Sequence, residues 1–250
     1  MAVEVNKKVE RRIDPDSTRV FAVGDIHGKF ESLVDIVGKI ESYERAANDF
    51  VVFLGDYVDK GPDSKKVLDF LINYQKDDPE HVKLLMGNHD HHFVEFSKKY
   101  PTKEWAQPTI KSYILDDKKT TYGINRKEFF KLDSLKIKEH RKFLKENTLS
   151  HLEIGHLLFV HAGIDPEKEV WNNDPKTFMF IREKFTKNKD KIDTGHKFIV
   201  HGHHELENTN IKIGQKCINV DTGCYRTGVL SCVVLNANTG DFIECLQTKV

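Results

Sequence analysis

The chain has 250 residues, of which 38% are hydrophobic and 31% charged, so it can build a packed core and is too apolar to be disordered. Lys+Arg and Asp+Glu are equal at 39 each, a balance that points to neither a nucleic acid nor a membrane surface. The opening stretch MAVEVNKKVERRIDPDSTR lacks an apolar signal-type segment and no later run is long enough to span a bilayer, so a cytoplasmic protein without membrane or nucleic-acid partners is expected.

Five apolar runs organise the chain, and each ends in a polar cluster. Val20–Val23 leads into GDIHG (24–28), and Val51–Leu54 into GDYVDKG (55–61). Val82–Met86, interrupted by Lys83, leads into GNHD (87–90), Leu157–Val160 into HAG (161–163), and Phe198–Val200 into HGHH (201–204). Short aliphatic and β-branched runs suit strands buried on both faces. Between the first three lie two amphipathic helices, one expected to pack Phe30, Leu33, Val34, Val37 and Ile40, the other Val67, Phe70, Leu71 and Tyr74. This alternation predicts parallel strands with right-handed crossovers, and ligands collect at the carboxyl ends of such strands.

Each cluster has an ordinary reading when taken alone. Asp-Gly turns are common, Asp56 and Asp59 could be a solvated turn, and a single histidine is more often a hydrogen-bonded core residue than a ligand. Together, Asp, His, Asp, Asn, His and His at five strand ends form a mixed oxygen and nitrogen set without thiolates, which suits one or two divalent ions such as manganese, iron or zinc. Two aspartates so close in one turn repel unless water or a cation screens them.

Residues 98–146 hold 14 Lys/Arg against 7 Asp/Glu, and KEFFKLDSLKIKEHRKFL has helical spacing, with Phe129, Phe130, Leu132, Leu135 and Phe143 as packing residues. The segment 98–150 is therefore expected to be a basic helical insertion, either a solvated face or a cap that draws in anions. From about residue 209, TNIKIG, KCINVD, VLSCVVL and DFIECLQ read as antiparallel strands of a second sheet, with NANTG (236–240) as a hairpin turn. All four cysteines (Cys217, Cys224, Cys232, Cys245) lie in this part, at gaps that fit no zinc or redox pairing, and read as reduced packing residues. No linker or repeat divides the chain, so residues 1–250 are expected to form one α/β domain: a two-sheet β-sandwich flanked by α-helices, with a helical insertion.

In type, order and spacing, GDIHG, GDYVDKG, GNHD, HAG and HGHH resemble the motifs of the calcineurin-like metallophosphoesterases. Within that family the chain is most similar to the phosphoprotein phosphatase branch of bacterial and phage type, over roughly residues 19–235. The resemblance implies a two-metal site, manganese foremost with iron or zinc as alternatives, in which Asp25 and His27 bind the first ion. Asp56 would bridge the two, and Asn88, His161 and His203 complete the second, Asn88 also touching phosphate. Asp59 would orient His89 as general acid, while Arg182 in FIREKF and Lys60 neutralise phosphate oxygens, and a hydroxide bridging the metals attacks phosphorus.

The implied activity is hydrolysis of phosphomonoesters, foremost phosphoserine and phosphothreonine in proteins. The alternative is a hydrolase of dinucleoside polyphosphates of the diadenosine tetraphosphate type, and a non-catalytic metal scaffold is disfavoured by the intact ligand set. Departures from the family pattern are Lys60 where arginine is usual, Asp90 where glutamate is frequent, and Glu205 where wider relatives carry a second ligand histidine. A family T..SY segment is matched by Thr109, Ser112 and Tyr113 without the Gly-Gly that often precedes it. His201 is expected to pack or support the ligands, and His204 has no assigned role.

Overall fold

The computed structural model describes residues 18–96, 100–114, 135–189, 192–195 and 197–249. The first three apolar runs form β1 (Arg19–Val23), β2 (Phe50–Phe53) and β3 (Val82–Leu85), paired in parallel. Helices α1 (Phe30–Glu41) and α2 (Ser64–Asp77) connect them. The stripe that α1 buries is Leu33, Ile36, Val37 and Ile40, an i, i+3, i+4, i+7 set. Val34, expected in that stripe, lies off it and is 40% exposed. Helix α2 buries Val67, Leu68 and Leu71, with Phe70 and Tyr74 half-buried against the same core.

After β4 (Thr148–Leu149) the chain enters a second sheet through β5 (His151–Ile154), β6 (Leu157–Val160), β7 (Phe198–His201) and β8 (Cys217–Asn219). It then returns to the first sheet with β9 (Ser231–Asn236) and β10 (Phe242–Gln247). The strand orders are β10-β9-β1-β2-β3-β4 and β5-β6-β7-β8. This differs from the expectation for the C-terminal part. There β8 extends the second sheet in parallel with β7, while β9 pairs antiparallel with β1 of the first sheet, and TNIKIG contributes one isolated bridge, Ile213 to Ile218. The β9–β10 hairpin turns at Asn236–Gly240, as its sequence predicts, with the Asn236 carboxamide oxygen accepting from the Asn238 backbone N–H.

Alternation along β1 shows how the layers are built. Val20 and Ala22 face the second sheet, in one core with Leu157, Phe159, Val200 and Ile218; Phe21 and Val23 face the helices, in another with Leu33, Ile36 and Val67. The outer face of the second sheet packs Leu158, Val160 and Ile199 against Phe178 and Phe185. The architecture is thus an α/β sandwich of two mixed sheets flanked by helices. Cys217, Cys224 and Cys232 are buried and Cys245 half-buried, all as free thiols.

Of the basic segment, Phe129, Phe130 and Leu132 lie outside the described residues. The described parts include α3 (Asn88–Glu95) just before the segment, α4 (Gln107–Ile114) and α5 (Leu135–Asn147). Phe143 packs on the helix-side core. The Tyr113 hydroxyl meets His140 Nδ1 at 2.6 Å, and His140 Nε2 meets the Asp69 carboxylate at 3.2 Å, which fastens α4 and α5 to α2. Burial pushes the His140 imidazole down to about 4. No helix among the described residues is long and apolar enough to cross a membrane.

The two sheets close on each other where β1 ends. Gly24 donates its N–H to Ser231 at 3.0 Å, and a Cβ at Gly24 would collide with the Val220 carbonyl just beyond β8. Gly24→Ala is therefore expected to lower unfolding free energy by about 1–3 kcal/mol, read as a shifted denaturant midpoint at constant slope.

Candidate active site

The polar loops after β1, β2 and β3 of one sheet meet those after β6 and β7 of the other. Their backbones leave ordinary space to do so. Among the described residues, seven non-glycine residues have positive φ, and five of these are candidate site residues: His27 (45°), Asp56 (54°), Asp59 (72°), Lys60 (63°) and His203 (64°). Asp and His tolerate the left-handed region better than most residues, but each such position still costs stability. Asp90 braces the loops: its carboxylate accepts the N–H groups of Tyr57 (2.9 Å), Val58 (3.4 Å) and Gly87 (3.1 Å), tying GDYVDKG to GNHD.

The imidazoles are fixed by backbone carbonyls. His27 Nδ1 donates to the Val58 carbonyl and His161 Nδ1 to the Leu54 carbonyl, both at 2.8 Å. A carbonyl only accepts, so both protons sit on Nδ1 and both Nε2 atoms present lone pairs. His27 Nε2 then faces Asp56 Oδ2 at 3.3 Å, while His161 Nε2 faces Asp56 Oδ1 at 3.4 Å and Asn88 Oδ1 at 3.1 Å. These are acceptors facing acceptors. His203 Nε2, also buried, has no hydrogen-bond partner among the described residues.

Ligand atoms of His27, Asp56 and His89 lie within 4.8 Å of one another, as do those of Asp56, His161 and His203, and Asp56 belongs to both groups. Asp25 belongs to neither; its two carboxylate oxygens each lie 3.2 Å from the His203 backbone N–H. Burial lowers the His27 imidazole to about 3 and His203 to about 2, and lowers His161 as well. Burial pushes the Asp56 carboxyl up, but the positive charge that His161, His89, His27 and His203 would carry if protonated outweighs it and holds Asp56 below the ordinary carboxylate range. Burial, then the carboxylates of Asp221 and Asp56, push Asp25 up. Neutral imidazoles, an ionised Asp56 and an orphaned nitrogen fit divalent cations, and the two groups form a candidate dinuclear centre.

Beside this centre, His89 Nδ1 is 2.9 Å from Asp59 Oδ2. Asp59 is fully buried, and burial raises its pKa. Its other oxygen accepts the hydroxyls of Tyr100 (2.6 Å) and Thr109 (2.9 Å). The opening of the basic segment thus braces the Asp59–His89 pair, a role that its charge pattern does not reveal. Trp105 stands edge-on to His89 at 4.7 Å between ring centroids.

The calcineurin-like phosphoesterase family model matches residues 18–234. The chain belongs to that family. It is accordingly a metal-dependent phosphoesterase with His/Asp metal-binding groups. It is 25% identical over 224 residues to the asymmetrical bis(5'-nucleosyl)-tetraphosphatase PrpE of Oceanobacillus iheyensis, a match covering 82% of this chain and 84% of that protein. The serine/threonine-protein phosphatase PP1-1 of Saccharomyces cerevisiae is 35% identical over 81 residues, covering 32% of this chain and 25% of the phosphatase. Among solved structures, a protein provisionally assigned as a diadenosine tetraphosphatase superposes with a TM-score of 0.60 at 19% identity, over 94% of this chain and 98% of that one.

Two cations flank the centre of this phosphoesterase. Lys60 is half-buried, and its charge is felt at Asp25, His27 and His161. Arg182 is exposed, and its charge reaches His203 and His204. FIREKF is not one helix: Arg182 sits in the break between α6 (Pro175–Phe180) and α7 (Glu183–Thr186), with ψ at −113°. His201 packs edge-on to Phe185 and bonds the Gly202 carbonyl at 3.0 Å, and His204 stacks on Phe185 with its Nε2 3.0 Å from the Ala162 carbonyl.

Four residues near the centre escaped the sequence reading: Tyr100, Trp105, Asp221 and Tyr225. Asp221, just beyond β8, is buried beside Asp25 and pushed up to about 6, chiefly by burial. Its acidic side chain at a strand end was the available signal; the aromatic residues gave none.

His89 shares one ligand-like group, yet its Nδ1 is engaged by Asp59. His89→Asn is expected to cut turnover by roughly 10²–10⁴ while elemental analysis finds metal content near wild type. Loss of metal would make His89 a ligand.

Proposed function

We propose that this chain hydrolyses phosphoanhydride bonds in nucleotide-type substrates of the diadenosine tetraphosphate class. The observation carrying this reading is the relative named for that activity, aligned over 82% of the chain, against 32% for the protein phosphatase. The expected preference for phosphoserine and phosphothreonine therefore takes second place. It keeps support from the 35% identity of that shorter match, and the phosphoprotein phosphatase branch is not where the longer alignment points. A scaffold role is disfavoured, because all six proposed ligand positions and the His89–Asp59 pair are present.

In this reading Asp25, His27, Asp56, Asn88, His161 and His203 hold two divalent cations, manganese, iron or zinc by donor type. Such a pair supplies positive charge that polarises the phosphoryl group and acidifies water. Asp56 turns one oxygen toward each imidazole. Asp59 takes the Nδ1–H bond of His89, leaving Nε2 to deliver a proton to the departing oxygen. Lys60 and Arg182 offset charge on the remaining phosphate oxygens. A departing nucleotide phosphate is far less basic than a serine alkoxide, so the anhydride makes the smaller demand on His89.

The test compares kcat/KM for diadenosine tetraphosphate with that for a phosphoserine peptide on purified, metal-defined protein. An advantage of at least about tenfold for the dinucleotide is expected, with ATP and AMP separated as products. A ratio in the opposite direction would restore the protein phosphatase reading, and no turnover on either, with metal verified, would favour the scaffold.

A further inference from the structure

Lys60 stands where arginine is usual in the motif that this chain resembles, and a lysine ammonium on a flexible stem lacks the directional fork of a guanidinium. The structure supplies direction from outside. Lys60 Nζ lies 4.4 Å from the centroid of the Tyr225 ring, and Lys60 forms no ion pair with a carboxylate among the described residues. Its backbone is fixed too, with φ at 63° and its N–H donated to the Trp105 carbonyl at 2.8 Å.

The Tyr225 ring is itself held. It stands edge-on to His27 at 5.7 Å and 84°. Burial, and after it the nearby Glu205 carboxylate, raise the pKa of its phenol. Glu205 Oε2 in turn accepts from Arg226 Nε at 3.1 Å, and Arg226 reaches the Leu206 carbonyl at 3.4 Å. The backbone makes room for this chain of contacts: Gly223 has φ of 62°, and a Cβ there would lie 2.9 Å from Glu205 Cγ. Glu205 is thus engaged by Arg226, while the Lys60 charge acts on the buried carboxylates of Asp25 and Asp221.

We propose that Tyr225 is a positioning residue that holds the Lys60 ammonium as a phosphate-oxygen contact, the ring replacing the directionality of an arginine fork. The inference rests on the site binding a phosphoryl group, but not on which phosphate compound is the natural substrate.

The experiment is calorimetric titration of inorganic phosphate into the metal-loaded protein, with the metal content of each variant determined. Tyr225→Leu is expected to weaken phosphate binding by about tenfold, and Lys60→Ala by at least as much. The double variant should bind within about twofold of Lys60→Ala alone, because the ring acts through the lysine. Tyr225→Phe keeps the ring and should bind phosphate within about twofold of wild type. Wild-type affinity in Tyr225→Leu, or a loss that multiplies with that of Lys60→Ala, would overturn the proposal. If Tyr225→Leu does not fold, the same cycle with Tyr225→Met decides, multiplicative losses again counting against the proposal. Failure to cleave diadenosine tetraphosphate with this binding pattern intact would remove the substrate reading and leave the positioning role standing.

Discussion

Two backbone carbonyls decide what this site can be. Val58 and Leu54 each take the Nδ1 proton of a buried histidine, and from then on His27 and His161 can only offer lone pairs toward Asp56. Buried acceptors facing acceptors repel, and burial rules out relief by bulk water. Protonating the imidazoles would relieve the repulsion, but burial depresses their basicity, His27 to about 3. What remains is a cation among them. The fold thus builds an energetic deficit that divalent ions fill, and metal binding and loop order become coupled.

The same loops show how the deficit is held in place. Left-handed backbone at His27, Asp56, Asp59, Lys60 and His203 is unfavourable taken residue by residue, and it survives because neighbouring contacts over-determine it. Asp90 gathers three backbone N–H groups from two loops, and Tyr100 and Thr109 fix Asp59 from the basic segment. In the proposed reading rigidity serves proton delivery: His89 would act only with Nε2 toward the departing oxygen, and the Asp59 carboxylate that meets its Nδ1 is immobilised by two hydroxyls. Asp90, a departure from the glutamate frequent in relatives, is therefore as much a loop clamp as a neighbour of ligands.

How much of this was legible in the sequence follows from which interactions are local. The five strand-to-loop junctions were readable because an apolar run and the cluster ending it are contiguous, and parallel topology then gathers the clusters at one edge. Ile36 displaced Val34 from the buried face of α1 because the helix phase is set by the sheet it meets. The C-terminal strands divided between two sheets because pairing of β9 with β1, and of β8 with β7, joins residues far apart in sequence. Tyr100, Trp105 and Tyr225 were invisible for the same reason: each reaches the centre from a segment whose own composition is unremarkable. Arg182 was readable as a cation near the site, but not the break in the helix that carries it.

The balance of charge around Asp56 bears on the kind of phosphate the site suits. Asp25, Asp56 and Asp221 are buried together, and Asp221 pushes Asp25 upward while being raised itself to about 6. An anionic substrate cannot approach such a group until cations outweigh it. Lys60 and Arg182 both contribute, the first felt at His27 and His161 and the second at His203. An arginine fork grips two oxygens of one phosphate, whereas an ammonium held over an aromatic face is a single charge open to oxygens from several directions. A polyphosphate chain presents its oxygens in that dispersed way. The lysine in GDYVDKG, otherwise a weakening of the motif, is consistent on these grounds with an anhydride substrate whose charge extends beyond the group being transferred.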